Sequence, residues 1–175
     1  MVKLGDQTEW NVKCLEYLRY EYPLTREDWV IDIGSYRREF ADTIIKRFGS
    51  KVECFDALDD RAAWTHDGKI LMGGAFYYTS VFDTENQKEF KCVDIAPYLS
   101  NVALCKINIE GMEYALLDYI LDKGLMKEIK YLQVQFHLID GVDSEGLYKR
   151  LAERLSKTHK LSWRFPFVWE SWERC

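Results

Sequence analysis

The chain has 175 residues, 47% of them hydrophobic and 30% charged, with a formal net charge of -5 at pH 7. That apolar content excludes a disordered chain, and the length suits one domain, residues 1–175, around one core. A negative balance without a Lys/Arg run argues against a nucleic-acid phosphate track, and no apolar run approaches the roughly 18–20 residues of a membrane span.

The first ten residues are polar and carry no signal-peptide core. The cysteines, Cys14, Cys54, Cys92, Cys105 and Cys175, are odd in number, widely spaced and free of any Cys-x-x-Cys. A disulfide frame or zinc site is therefore not expected, and a reducing, cytoplasmic location is.

In chain order, Val12, Leu15, Tyr17 and Leu18 recur at helical spacing, so an N-terminal helix is expected over 9–20 within an extension covering 1–25, stopped by Pro23. Trp29-Val30-Ile31-Asp32-Ile33-Gly34 is a short apolar run ending in glycine, the pattern of a buried strand entering a tight turn. Phe40, Ile44, Ile45 and Phe48 follow the helical period up to Gly49. Residues 51–56 give a second strand and 69–72 a third, while 75–81 and 89–93 are β-like without an evident pairing. A strand over 102–109, a helix over 112–121 and a strand over 131–139 follow. Leu147, Leu151 and Leu155 then line one face of a helix whose other face is charged. In the tail, Trp163, Phe165, Phe167 and Trp169 alternate with other residues, as in a strand, and Pro166 confines it to an edge or a bulge. These rings, with Trp172, pack under the sheet or face an acceptor pocket that Tyr77 and Tyr78 share.

Strands separated by helices need crossovers, which predicts an α/β fold. Its central sheet is mostly parallel and flanked by helices, with an antiparallel C-terminal edge over 160–175. Such sheets bind ligands beyond the carboxyl ends of their strands. The sharpest local signal lies there. Asp32-Ile33-Gly34-Ser35-Tyr36 turns from strand to helix, and Asp56 closes the second strand about two dozen residues later. The helix start offers unpaired N–H groups, and an acid after the second strand can accept both hydroxyls of a ribose. Asp32 within an apolar strand needs a partner or a function. A dinucleotide oxidoreductase would need more glycines than Gly34-Ser35-Tyr36-Arg37-Arg38-Glu39 supplies.

Four blocks together resemble the FkbM-type methyltransferases: Asp32-Ile33-Gly34 with Phe40; Val52-Glu53-Cys54-Phe55-Asp56; Lys106-Ile107-Asn108-Ile109-Glu110-Gly111-Met112-Glu113-Tyr114; and Gln133-Val134-Gln135-Phe136-His137. The resemblance implies a Rossmann-like class I methyltransferase that uses S-adenosylmethionine (SAM) to methylate a hydroxyl of a glycan or small natural-product-like acceptor; from the charge balance and the apolar runs, no nucleic-acid or membrane partner is expected. It places the cofactor on Asp32, Gly34, Ser35, Tyr36, Asp56 and Asn108.

The chain departs from the family pattern at Arg38, which stands at its second glycine, and at Asn108 and Gln135, which stand at acids. These departures leave open an alternative, a catalytically degenerate binding module. For catalysis, His137 has base chemistry near neutral pH, and Glu110 lies on the same predicted sheet edge to hold it, take the proton or bind the cofactor's ammonium. Asn108 and Gln135 can hydrogen-bond but not act as bases. Lys106 is expected to snorkel to solvent, and Glu113 to be a charge favourable to a helix N terminus.

Overall fold

The computed structural model describes residues 1–56, 71–72, 80–83, 88–91 and 94–175; for the three short segments between 71 and 91 only the backbone is described. In chain order the strands are β1 (Val2–Lys3), β2 (Trp29–Ile33), β3 (Lys51–Asp56), β4 (Leu71–Met72), β5 (Ser80–Asp83), β6 (Lys88–Lys91), β7 (Val102–Ile107), β8 (Ile129–Val134), β9 (Leu138–Ile139), β10 (His159–Phe165) and β11 (Trp169–Arg174). The α-helices are α1 (Thr8–Val12), α2 (Glu39–Phe48), α3 (Glu113–Asp122) and α4 (Ser144–Leu155).

A seven-stranded sheet runs β10-β11-β8-β7-β2-β3-β4. Its middle, from β8 to β4, is parallel, and β11 joins β8 antiparallel. The expected α/β fold with an antiparallel C-terminal edge is present. The chain leaves β2 towards β3 and β4, then returns to the other side of β2 as β7. The order therefore reverses between β2 and β7, opening a crevice at their carboxyl ends.

Strands β2, β3 and β7 carry apolar side chains on both faces, because helices cover both. Val30, Val52 and Leu104 pack against Phe40, Ala41 and Ile44 of α2. Ile31, Ile33 and Ile107 face Leu116, Leu117 and Ile120 of α3 and Leu151 and Leu155 of α4. A fully buried side chain such as Ile44 contributes roughly 1.5–3 kcal/mol. Helix α2 stops at Gly49, whose φ of +73° is the left-handed cap conformation and whose N–H bonds Ile45 O. Helix α4 starts at Asp143, which accepts the Gly146 N–H at 2.9 Å.

Two expectations are corrected. The helix expected over 9–20 is broken at Cys14 (φ +53°) into α1 and a 3-10 helix, Leu15–Tyr20. The break lets Trp10 turn under Trp163 and Phe165 while Arg19 and Tyr20 reach the sheet's carboxyl end. The tail is a hairpin rather than one strand: Val168 N bonds Phe165 O across a turn holding Pro166, and β11 pairs on both sides. Pro166 sits in the turn, where its missing N–H costs no ladder bond. Strands β5 and β6 pair with each other, and of the strand expected over 69–72, Leu71–Met72 pairs with β3. Tyr77, Tyr78 and Cys92 lie outside the described residues. Among those residues Cys54 and Cys105 are buried, and burial pushes both thiols up to about 12. No described helix is long and apolar enough to cross a membrane.

The hairpin buries an acid. Glu170 accepts Trp172 Nε1–H at 2.6 Å and lies 3.2 Å from Arg164 Nε. Burial nonetheless pushes its carboxyl up to about 7 from 4.5, against the lowering effect of Trp172 and Arg164. A carboxyl raised in the folded state stabilises fully below its unfolded pKa, and that stability is lost as pH rises through the folded value. Between about pH 4.5 and 7 the wild type should therefore lose about 3 kcal/mol relative to Glu170→Gln. Urea denaturation of both proteins across that window checks this, and parallel profiles would refute it.

Candidate functional site

The turn after β2 is built by hydrogen bonds to its neighbours. Gly34 and Ser35 donate to Phe55 O at 2.7 and 3.2 Å, and Arg38 N closes a turn on Ser35 O at 2.6 Å. Tyr36 N donates to Asp56 Oδ2 at 2.6 Å. Gly34 and Asp56 thus meet at one end of the sheet. Gly34 has φ +79°, and a Cβ there would lie 1.6 Å from Asn108 O, so the glycine admits the neighbouring backbone as closely as it could admit a ligand.

Arg38 takes φ +64°, the conformation that a glycine adopts most readily. Its side chain turns towards Asp42 at 3.0 Å and is not part of the cavity wall. The departure at Arg38 therefore leaves the cavity open.

Beneath the turn, Asp32 is fully buried and Lys106 is 3% exposed. Lys106 Nζ lies 2.8 Å from Asp32 Oδ1 and donates to Gly34 O at 2.6 Å. Neither oxygen of Asp32 has a well-directed hydrogen bond, so the contact is an ion pair rather than a bonded fork. Lys106 does not snorkel to solvent, because its stem runs inside the sheet and a buried carboxylate awaits its charge. Asp32 supports the turn from below and is not among the cavity-lining residues.

A cavity of about 250 Å3 opens at the carboxyl ends of β2, β7 and β8. Gly34, Ser35 and Tyr36 form one wall, Asn108 and Gln135 another, and Arg19, Tyr20 and Trp169 the third. Its size is near the lower end of small-molecule sites, about 300–1000 Å3. Ser35 Oγ and Asn108 Oδ1 are buried and have no hydrogen-bond partner among the described residues. Buried polar atoms are costly unless bonded, so a cavity lined by two such atoms fits a polar ligand. Gln135 is committed instead: its Nε2 donates to Val168 O at 2.9 Å.

His137 and Glu110 are brought together but lie outside the cavity wall, each two residues beyond a lining residue, Gln135 and Asn108. His137 Nε2 is 3.7 Å from Glu110 Oε2. On the other side of the ring, Glu113 is fully buried and 3.0 Å from His137 Nδ1. Glu113 also accepts the backbone N–H of His137 at 2.7 Å and of Gly111 at 2.9 Å. Glu113 is thus more than a helix-terminal charge: it fixes the imidazole so that Nε2 faces Glu110. The only hint in the sequence was its place in the Lys-x-x-x-Glu-Gly-x-Glu block.

No family model matches the sequence, and no curated protein does. Solved structures do. A dimethyladenosine transferase from Plasmodium falciparum aligns with a TM-score of 0.57 at 15% identity, over 99% of this chain and 63% of that one. The 23S rRNA methyltransferase ErmE aligns with a TM-score of 0.50 at 13% identity, over 99% of this chain and 70% of that one. The chain has the class I methyltransferase fold. It spans 63% of the length of the Plasmodium falciparum enzyme.

These likenesses support the methyltransferase fold and not membership of the FkbM family. They also correct the expectation of a small-molecule or glycan acceptor with no nucleic-acid partner. Both fold relatives are named for nucleic-acid chemistry, one for dimethyladenosine and one for 23S rRNA. Net charge averages over the chain, whereas the cavity sets Arg19, Arg37 and Lys106 beside Glu16 and Glu39.

Proposed function

We propose that the chain is a methyltransferase that takes its methyl group from SAM and transfers it to a nucleic-acid base. The observation that carries this reading is the pair of unpartnered buried atoms, Ser35 Oγ and Asn108 Oδ1, on a cavity at the switch point of a methyltransferase fold. SAM supplies a methyl group activated by a sulfonium. The turn Gly34-Ser35-Tyr36, with Asp56 behind it, is the element assigned to the nucleoside end. Asn108 Oδ1 can accept an N–H from an acceptor amine and aim its lone pair along the line of displacement, a positioning role. Tyr36 is exposed, with the Arg37 guanidinium 5.1 Å from its ring, and gives an unstacked base a flat face and a cation.

His137, oriented by Glu113 and facing Glu110, is the group we assign to collect the acceptor's proton. It should be dispensable for cofactor binding: His137→Gln should bind the demethylated product, S-adenosylhomocysteine (SAH), as tightly as wild type.

The test is ligand linkage. SAM or SAH at a hundred times its Kd should stabilise the protein by about 2.7 kcal/mol, raising Tm by roughly 5–11 °C, while NAD should do nothing. No shift with either at millimolar concentration would refute the reading. A second reading, a non-catalytic module that keeps the fold, is favoured by Gln135, whose amide stands where the resemblance places an acid and is committed to Val168 O. Absence of SAM and SAH binding is the outcome that module predicts.

A further inference from the structure

One wall of the cavity comes from outside the strand–turn–helix unit. The 3-10 helix Leu15–Tyr20 crosses the mouth and places Arg19 in it, with a side chain only 14% exposed. The guanidinium carbon sits 4.1 Å above the centre of the Trp169 ring, and Nε points to Gln133 Oε1 at 3.4 Å. Nη1 bonds the Glu16 carboxylate, and Nη2 carries no hydrogen bond among the described residues. A guanidinium held over an aromatic ring at the cavity wall, with Nη2 unspent, is preorganised for a carboxylate.

The other charges at the site narrow the choice. Lys106 is committed to Asp32 and Gly34 O, and Arg37, which also lines the cavity, is exposed and sits 5.1 Å from the Tyr36 ring, where water screens its charge more than that of Arg19. Glu39 lines the cavity at the start of α2, where its charge disfavours a second anion. An anionic group in this cavity is therefore drawn to Arg19.

Building on the proposed function above, we infer that Arg19 is the residue that binds the α-carboxylate of the cofactor's amino-acid end. Glu16 and Trp169 hold the guanidinium in place for it. The aromatic tail and the N-terminal extension thereby gain a shared role in reading the cofactor: Trp169 supplies the plate and Leu15–Tyr20 the cation.

The experiment compares SAH with 5′-methylthioadenosine, which keeps the nucleoside and thioether but lacks the amino-acid end, by calorimetric titration of the full chain. Wild type should prefer SAH about tenfold or more, the scale of one charge-assisted bond. Arg19→Gln should shrink that preference to within about threefold and leave methylthioadenosine affinity in place. Glu16→Gln, which keeps the guanidinium, should retain the preference.

The inference is overturned if Arg19→Gln keeps the preference, or if it weakens both ligands equally, which would make Arg19 a structural tie. It is also overturned if Glu16→Gln alone erases the preference, since the ammonium would then be the group being read. Inorganic phosphate that displaces SAH at equal concentration would mark a phosphate site instead. If neither nucleoside binds the unmodified chain, the cofactor reading falls and this inference with it.

Discussion

Gly34→Ala is expected to destabilise the protein by about 3–5 kcal/mol, a fall in Tm of roughly 6–20 °C. Two costs add. At φ +79° an alanine sits in the left-handed region, which costs an L-residue roughly 1–2 kcal/mol. Its Cβ would also lie 1.6 Å from Asn108 O and 2.6 Å from Asn108 C. Those are backbone atoms and cannot swing aside. Asn108 N is bonded to Ile33 O, and Gln135 N on the next strand to Ile107 O, both at 2.9 Å, so relief requires breaking the sheet at its switch point. Gly124→Ala provides the control. It has φ +66° and nothing within 4 Å of its Cβ, so it bears the conformational cost alone. Thermal denaturation of the two variants separates strain from collision. Equal losses would show that the turn after β2 does not approach Asn108 as closely as described.

The parts of the fold that were legible in the sequence are those whose burial is periodic. Trp29–Ile33 and Lys51–Asp56 are apolar between turn residues, and α2 has a regular inward stripe closed by Gly49. The N-terminal helix was misread because Val12, Leu15 and Leu18 keep helical spacing across a break that only Cys14's left-handed backbone reveals. The tail was misread because period two continues through a hairpin turn: Phe165 and Trp169 are partners across the turn, not neighbours along one strand. At the site, glycine and acid positions could be read from order along the chain. Arg19 and Glu113 could not, because nothing local distinguishes an arginine on a short helix or a glutamate at a helix start, and for Trp169 the alternation left core packing and a pocket wall as alternatives. Their roles arise from long-range contacts: Arg19 meets Trp169 across most of the chain, and Glu113 meets His137 only when β7 and β8 lie side by side. The departure at Arg38 left a degenerate module open because a sequence shows a side chain's size but not its direction.

Lys106→Met is the second variant with a large expected effect, and it tests how the turn is held. Removing the ammonium leaves the Asp32 carboxylate wholly buried with no counter-charge, which costs about 3–5 kcal/mol. Asp32→Asn alone leaves the ammonium buried with only Gly34 O to receive it, and it too should destabilise. In the double variant, Lys106→Met with Asp32→Asn, both charges are gone. A buried ion pair exchanged for uncharged groups of similar volume is often near neutral, so most of the loss should return, and the cycle should show a coupling at least as large as the Lys106→Met loss, about 3–5 kcal/mol or more. Ligand affinity should not return with it. Lys106 Nζ is also the donor on Gly34 O, and without it the turn that lines the cavity loses its lower fixing point. The double variant should therefore be nearly as stable as wild type to urea and yet bind SAH more weakly than wild type. Losses that simply add would mean that Asp32 and Lys106 act independently. Full recovery of binding along with stability would mean that the bond to Gly34 O does not set the shape of the turn, and that the pair serves the core alone.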